Sequence, residues 1–130
     1  MPEDQSFQVG QKAFIDRSGR LLVMFFEGNK LDFPGGRIQE GEYDLIEALR
    51  REVREETSLE VAVEEPFTTW LSGRHGGVYL VGYRCRYVSG EVRLSEEHES
   101  FRWVTRDTYR EVDDRSEPFA QLEKYFGAAL

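Results

Sequence analysis

The stretch GGRIQEGEYDLIEALRREVREETSL, from Gly35 to Leu59, constrains the chain more than any other, because it demands a turn and then crowds carboxylates onto one helix. Asp44 has the side chain to cap that helix. Leu45, Ile46, Leu49 and Val53 recur at amphipathic spacing up to about Thr57. On a wheel turning about 100° per residue with Glu52 at zero, Leu45 falls at about 20°, Glu56 at about 40°, Leu49 at about 60°, Val53 at about 100° and Glu55 at about 300°. Glu52 and Glu56 therefore share the inner side with the apolar residues. Glu47, Arg50, Arg51 and Arg54 fall on the far arc, where water and i,i+3 or i,i+4 pairing suit them.

Two carboxylates about 6 Å apart repel by about 3 kcal/mol at an effective dielectric of about 20, and partial burial adds a desolvation cost. Either nearby Arg or Lys side chains neutralise them or a hard divalent cation does. Oxygen-only ligands suit Mg²⁺ or Mn²⁺. A solvated, inert acidic face is the plain alternative for any glutamate-rich helix. The residues ahead of the helix favour the ion: Phe33-Pro34-Gly35-Gly36 is a turn whose glycines let the backbone approach a ligand, and Gly41-Glu42 makes a second break.

Together these pieces resemble the signature of the Nudix (MutT-like) hydrolases, G-x5-E-x7-RE-U-x-EE-x-G-U with U aliphatic. The matching residues are Gly36, Glu42, Arg51, Glu52, Val53, Glu55, Glu56 and Leu59. Two departures stand out. Eight residues, Tyr43 to Arg50, separate Glu42 from Arg51 where the pattern has seven, and Ser58 replaces the last glycine. The extra residue is expected to lengthen the loop at Tyr43-Asp44, since an insertion within the helix would rotate the glutamates away from its start. Ser58 is expected to alter the helix exit, where glycine relieves left-handed strain.

A second acidic stretch, Leu94-Ser95-Glu96-Glu97-His98-Glu99-Ser100-Phe101-Arg102-Trp103, resembles the LS-x-EH-x-x-x-RW segment of many small Nudix enzymes, in which an acidic residue turns toward the metal. Glu97 matches best as a further ligand or catalytic base, with Glu99 next and a solvated loop as the alternative. His98 is expected to hydrogen-bond its own loop, a proton donor or phosphate contact being the other reading. Trp103 reads as core.

The length of 130 residues fits one domain, residues 1–130, and 39% hydrophobic residues give it a core to bury. A formal net charge of −8 without a basic patch argues against nucleic-acid binding. An acidic protein that handles polyanions needs a metal bridge. The single Cys85 rules out an internal disulfide and a cysteine zinc site. No signal peptide, membrane span or lipidation motif is read, so neither a membrane nor export is expected and the cytoplasm is the default.

Along the chain, Phe7 to Ile15 reads as a strand, Asp16 to Gly19 as a hairpin turn and Leu21 to Phe26 as a second strand. After the helix, Leu59 to Val63 and Phe67 to Leu71 read as strands that Pro66 interrupts. Val78 to Val88 is the longest strand pattern, expected mid-sheet, followed by short strands at Glu91 to Leu94 and Phe101 to Val104. Thr105 caps a short helical stretch at Arg106 to Arg110. A closing helix from about Ser116 buries Phe119, Leu122, Tyr125 and Phe126. The order suggests an α/β fold around a mixed β-sheet. The resemblance implies the Nudix α/β/α sandwich.

The resemblance further implies hydrolysis of a nucleoside diphosphate linked to a moiety X, by water attack on a pyrophosphate phosphorus. It implies Glu52, Glu55, Glu56, Glu97 and the Gly36 carbonyl as ligands of Mg²⁺ or Mn²⁺, Glu52 or Glu97 as base, and Arg51 as the residue orienting the glutamates through Glu55. Phe33, Trp70 and Tyr79 are candidates to stack on a base, with core packing as the alternative, and Arg37, Arg74 and Arg84 are candidates to meet phosphates. The proline that ADP-ribose-type members carry beyond the motif is absent, Arg74 and His75 occupying that region. A nucleoside triphosphate or modified dNTP is the first expectation, ahead of a diadenosine polyphosphate or nucleotide sugar. A nucleotide-sensing module that does not cleave is the alternative from another class. The resemblance also admits a homodimer, many members pairing in that way.

Overall fold

The computed structural model describes residues 3–73 and 77–127. The strands are β1 (Gln8–Arg17), β2 (Arg20–Phe26), β3 (Lys30–Asp32), β4 (Gly35–Arg37), β5 (Glu60–Ser72), β6 (Val78–Ser89) and β7 (Ser100–Val104). The helices are α1 (Leu45–Thr57) and α2 (Glu117–Gly127), with a 3₁₀ turn at Tyr109–Glu111. The strands form one sheet in the order β3-β2-β1-β6-β5, with β4 also paired to β1 and β7 to β2. The sheet is mixed, because β1 and β6 run parallel while the remaining pairs are antiparallel.

Alternation along β1 sorts side chains to two cores. Ala13 and Ile15 join Leu49 and Val53 of α1, while Phe14 joins Phe119, Leu122 and Phe126 of α2 on the other face. The result is the mixed-sheet α/β fold that the element order suggested, layered as the helix, sheet, helix sandwich that the resemblance implied. Burying each of Leu49 and Val53 is worth about 1.5–3 kcal/mol. The stripe proposed for α1 is shorter than its periodicity implied, since Leu45 and Ile46 remain 37% and 42% exposed beyond the edge of the sheet contact.

The strand pattern is corrected at two places. Glu60–Ser72 is continuous through Pro66, and register shifts on either side of the proline absorb its missing N–H. Glu91 to Leu94 is not a strand. Arg93 and Ser95 donate backbone N–H groups to the Thr57 and Glu56 carbonyls at 2.9 and 3.2 Å, so this segment satisfies the last turn of α1 instead. Among the described residues, no helix is long and apolar enough to cross a membrane.

Candidate active site

Local rules bring α1 to the site in the expected phase. Asp44 accepts from the Glu47 N–H at 3.1 Å, an N-cap worth about 1 kcal/mol. Tyr43 is 92% exposed in the loop ahead of α1, and the helix runs from Leu45 to Thr57 as one α-helix. Ser58 itself adopts the left-handed conformation, φ 66°, and its N–H reaches the Arg54 carbonyl at 2.9 Å. The exit therefore follows a glycine-like course, at a cost of about 1 kcal/mol, instead of the altered path expected.

Opposite α1, β4 presents its two glycines. Gly35 has φ +146°, and a Cβ there would lie 2.0 Å from the Gln11 carbonyl oxygen. Only glycine allows β4 to pair with β1 at this point. A Cβ on Gly36 would lie 2.8 Å from Glu52 Oε2, so the bare backbone is what lets this carboxylate rest against the turn.

Glu56 is 6% exposed. The Gly35 N–H reaches its two oxygens only at 3.5 and 3.4 Å. Burial pushes its carboxyl up to about 8, with the charge of Lys12 opposing and those of Asp32 and Glu52 adding to the rise. Burial also raises Glu52, against the pull of Arg51. Arg51 gathers three acids, reaching Glu55 at 2.7 Å, Glu42 at 2.9 Å and Glu52 at 3.1 Å. It thus belongs with the site and not with the solvated arc, where Glu47, Arg50, Arg54 and Glu60 form their own ion pairs.

Beside the glycines opens a cavity of about 340 Å³, walled by Phe26, Leu31, Trp70, Leu80 and Pro118, with Lys12, Asp32, Arg37, Glu56, Glu97 and His98 among its lining. Sequence reasoning passed over two of these. Lys12 Nζ lies 3.0 Å from Asp32 Oδ1 and 3.2 Å from the Phe33 carbonyl oxygen. Burial works to raise Asp32, but the Lys12 charge, His98 and the Phe33 N–H outweigh it and hold the carboxyl down at about 2. A lysine between Gln11 and Ala13, in a strand otherwise heading into the core, was the available signal. The His98 ring bonds Asp32 at 2.9 Å across the fold, and it is the backbone N–H that bonds its own loop, at the Ser95 carbonyl at 3.3 Å.

The other candidates are dispersed. Phe33 also lines the cavity, but it is 1% exposed and stacks on Phe14 at 4.2 Å between centroids, so its ring packs mainly in the core. Tyr79 projects from the opposite face of β6 to Val78 and Leu80, which line the cavity; Trp70 does line it. Arg84 lies over Phe67 and Tyr125, and Trp103 packs on the core beneath α1. Glu99 is exposed, its N–H bonded to the Phe25 carbonyl. Arg74 and His75 lie outside the described residues.

The donors suit a hard divalent ion: they are carboxylate and carbonyl oxygens, and Glu56 is a buried carboxylate that, among the described residues, has no Lys or Arg at bonding distance. Among the described residues, no three such side chains already converge on one point. Arg51 occupies Glu52 and Glu55, and ligation would draw them from it.

A family model described as NUDIX domain matches residues 9–124. The chain belongs to the Nudix family. It is 33% identical to the nucleoside triphosphatase NudI of Escherichia coli O139:H28, over 69% of this chain and 76% of that protein. It is 28% identical to the NudI of Enterobacter sp. strain 638, over 76% and 82%. Among solved structures, the MutT protein of Methanosarcina mazei Go1 aligns with TM-score 0.80 at 22% identity, covering 98% of both chains. The Escherichia coli ORF135 protein gives 0.76 at 20%, covering 95% and 91%. This Nudix chain is a hydrolase of phosphoric anhydride bonds with the α/β/α sandwich of its family, whose members generally use divalent metal ions.

Proposed function

We propose that this Nudix hydrolase is a Mg²⁺-dependent pyrophosphohydrolase, with Mn²⁺ as substitute, whose substrate is a nucleoside triphosphate or a modified dNTP. The observation that carries the reading is Glu56. A buried carboxylate pushed up to about 8, beside a Gly-Gly turn and at the wall of a nucleoside-sized cavity, calls for positive charge, and among the described residues no Lys or Arg supplies it at contact distance. The relatives named nucleoside triphosphatase support the substrate class.

In this reading Glu52, Glu55, Glu56, Glu97 and the Gly36 carbonyl hold the ion, which when bound neutralises phosphate charge and acidifies water. Arg51 sets the rotamers of Glu52 and Glu55. The apolar wall around Trp70, Leu31 and Leu80 receives the nucleoside, and Arg37 meets its phosphates. Glu52 or Glu97 takes one proton from the attacking water as the new P–O bond forms, and the phosphoanhydride P–O bond breaks with its electrons leaving on the departing phosphate oxygen. Such substrates are cytoplasmic metabolites, which supports that compartment.

Phosphate and pyrophosphate release from a panel of nucleoside triphosphates, modified dNTPs, diadenosine polyphosphates and nucleotide sugars, with magnesium and with chelator, tests the reading. Turnover of a triphosphate that stops in chelator is the expected result. Activity confined to the other classes, or undiminished without metal, overturns it.

A further inference from the structure

The hydrolytic reading gives Lys12 no task, although this residue lines the cavity with Gly35, Gly36, Glu56 and Glu97. Its side chain is 15% exposed. An ammonium carries three donors. Asp32 and the Phe33 carbonyl take two of them, and among the described residues no acceptor takes the third.

Stability is a poor reason for this arrangement. Taking an ammonium and a carboxylate out of water costs about as much as their attraction returns, and apolar replacements of such pairs are often neutral or stabilising. Binding is a better one. Three carboxylates, Asp32, Glu56 and Glu97, line the cavity, so an anionic ligand needs a fixed positive donor close to where it lies. Arg37, the other Lys or Arg cation of the described lining, has Nη1 committed to Gln8 Oε1 at 2.6 Å.

We propose that Lys12 is a ligand-binding residue that, held by Asp32 and the Phe33 carbonyl, offers its third N–H to an anionic phosphoryl oxygen of the diphosphate in the cavity. The ligand class rests on the hydrolytic reading above. Asp32 aims the ammonium. A charge-assisted hydrogen bond of this kind also carries affinity when no metal is bound.

The test titrates a nucleoside triphosphate and inorganic pyrophosphate into the full chain in chelator, followed by NMR, and measures kcat and KM with magnesium. Lys12→Met is expected to weaken binding and raise KM by about ten- to hundredfold, with kcat changed by much less. Asp32→Asn disturbs the same ion pair but keeps the ammonium, and is expected to retain most of the affinity. Unchanged binding in Lys12→Met, or equal losses in the two variants, overturns the proposal. If Lys12→Met does not fold, the Lys12→Met/Asp32→Asn double variant, which leaves neither member of the pair charged, is compared with Asp32→Asn on the same terms. A wild-type chain that binds these anions through Lys12 but hydrolyses none removes the hydrolytic reading and keeps this one; hydrolysis unimpaired in Lys12→Met does the reverse.

Discussion

Nε2 of His98 lies 2.9 Å from Oδ2 of Asp32, although 66 residues separate them, and this contact fastens the Glu97 loop to the cavity wall. Backbone bonds complete the fastening: Ser95 donates to the Glu56 carbonyl and Glu99 to the Phe25 carbonyl. With the loop held at both flanks, the histidine governs how closely Glu97 is kept at the cavity. His98→Ala is expected to lower kcat by roughly tenfold or more, as misplacement of a reacting group does, while His98→Gln, whose amide still donates to Asp32, recovers most of it. Steady-state kinetics on the three proteins checks this; equal rates for His98→Ala and wild type would refute it.

The two glycines of β4 differ in what an added methyl meets. At Gly35 it strikes the Gln11 backbone from a left-handed φ, so Gly35→Ala is expected to break the β1–β4 pairing and lower the melting temperature by several degrees. At Gly36 the nearest atoms it meets are those of the Glu52 carboxylate, the far end of a side chain and not backbone. Gly36→Ala is therefore expected to melt close to wild type while losing most activity. Calorimetric melting set beside turnover distinguishes the two outcomes.

Glu56 sets a pH dependence for the metal-free protein. Its folded value, about 8, lies above its ordinary 4.5, so its contribution is complete below about pH 4.5 and is lost as pH rises toward 8. Thermal melting in chelator should fall across that window. Glu56→Gln, which stays neutral, should flatten the fall and remove most Mg²⁺-dependent turnover. Ion binding needs the charged form, so Mg²⁺ affinity measured by calorimetry should climb over the same range and level off above it.

Arg51 is 38% exposed at its side chain, and its three ion pairs are partly solvated. Arg51→Met is expected to cost about 1 kcal/mol or less in chemical denaturation. It frees Glu42, Glu52 and Glu55 from a common anchor, and kcat should drop by roughly tenfold or more. A loss in stability without a loss in kcat would make Arg51 a structural residue only.

Local rules made much of this legible. Periodicity placed Glu52 and Glu56 on the inner side of α1, Asp44 announced the helix start, and Gly35-Gly36 announced a turn whose bare backbone permits close approach. Each depends on neighbours within a few positions, which sequence displays directly. Glu91 to Leu94 misled for the complementary reason: its alternation suits a strand, but the nearest unsatisfied partners were the carbonyls ending α1.

What only the tertiary structure decided is which distant charges meet. Lys12, Asp32 and His98 come from β1, β3 and the loop before β7, and no spacing rule links them; the sheet order sets them side by side. The same packing took Phe33 into the core and turned Tyr79 to the other face, since burial of a ring depends on what the opposite layer supplies. Sequence alone determined that acids would gather on one helix beside a glycine turn. Burial in the folded sandwich decided that Glu56 would be held near neutrality, because desolvation of a charge depends on the whole surrounding shell.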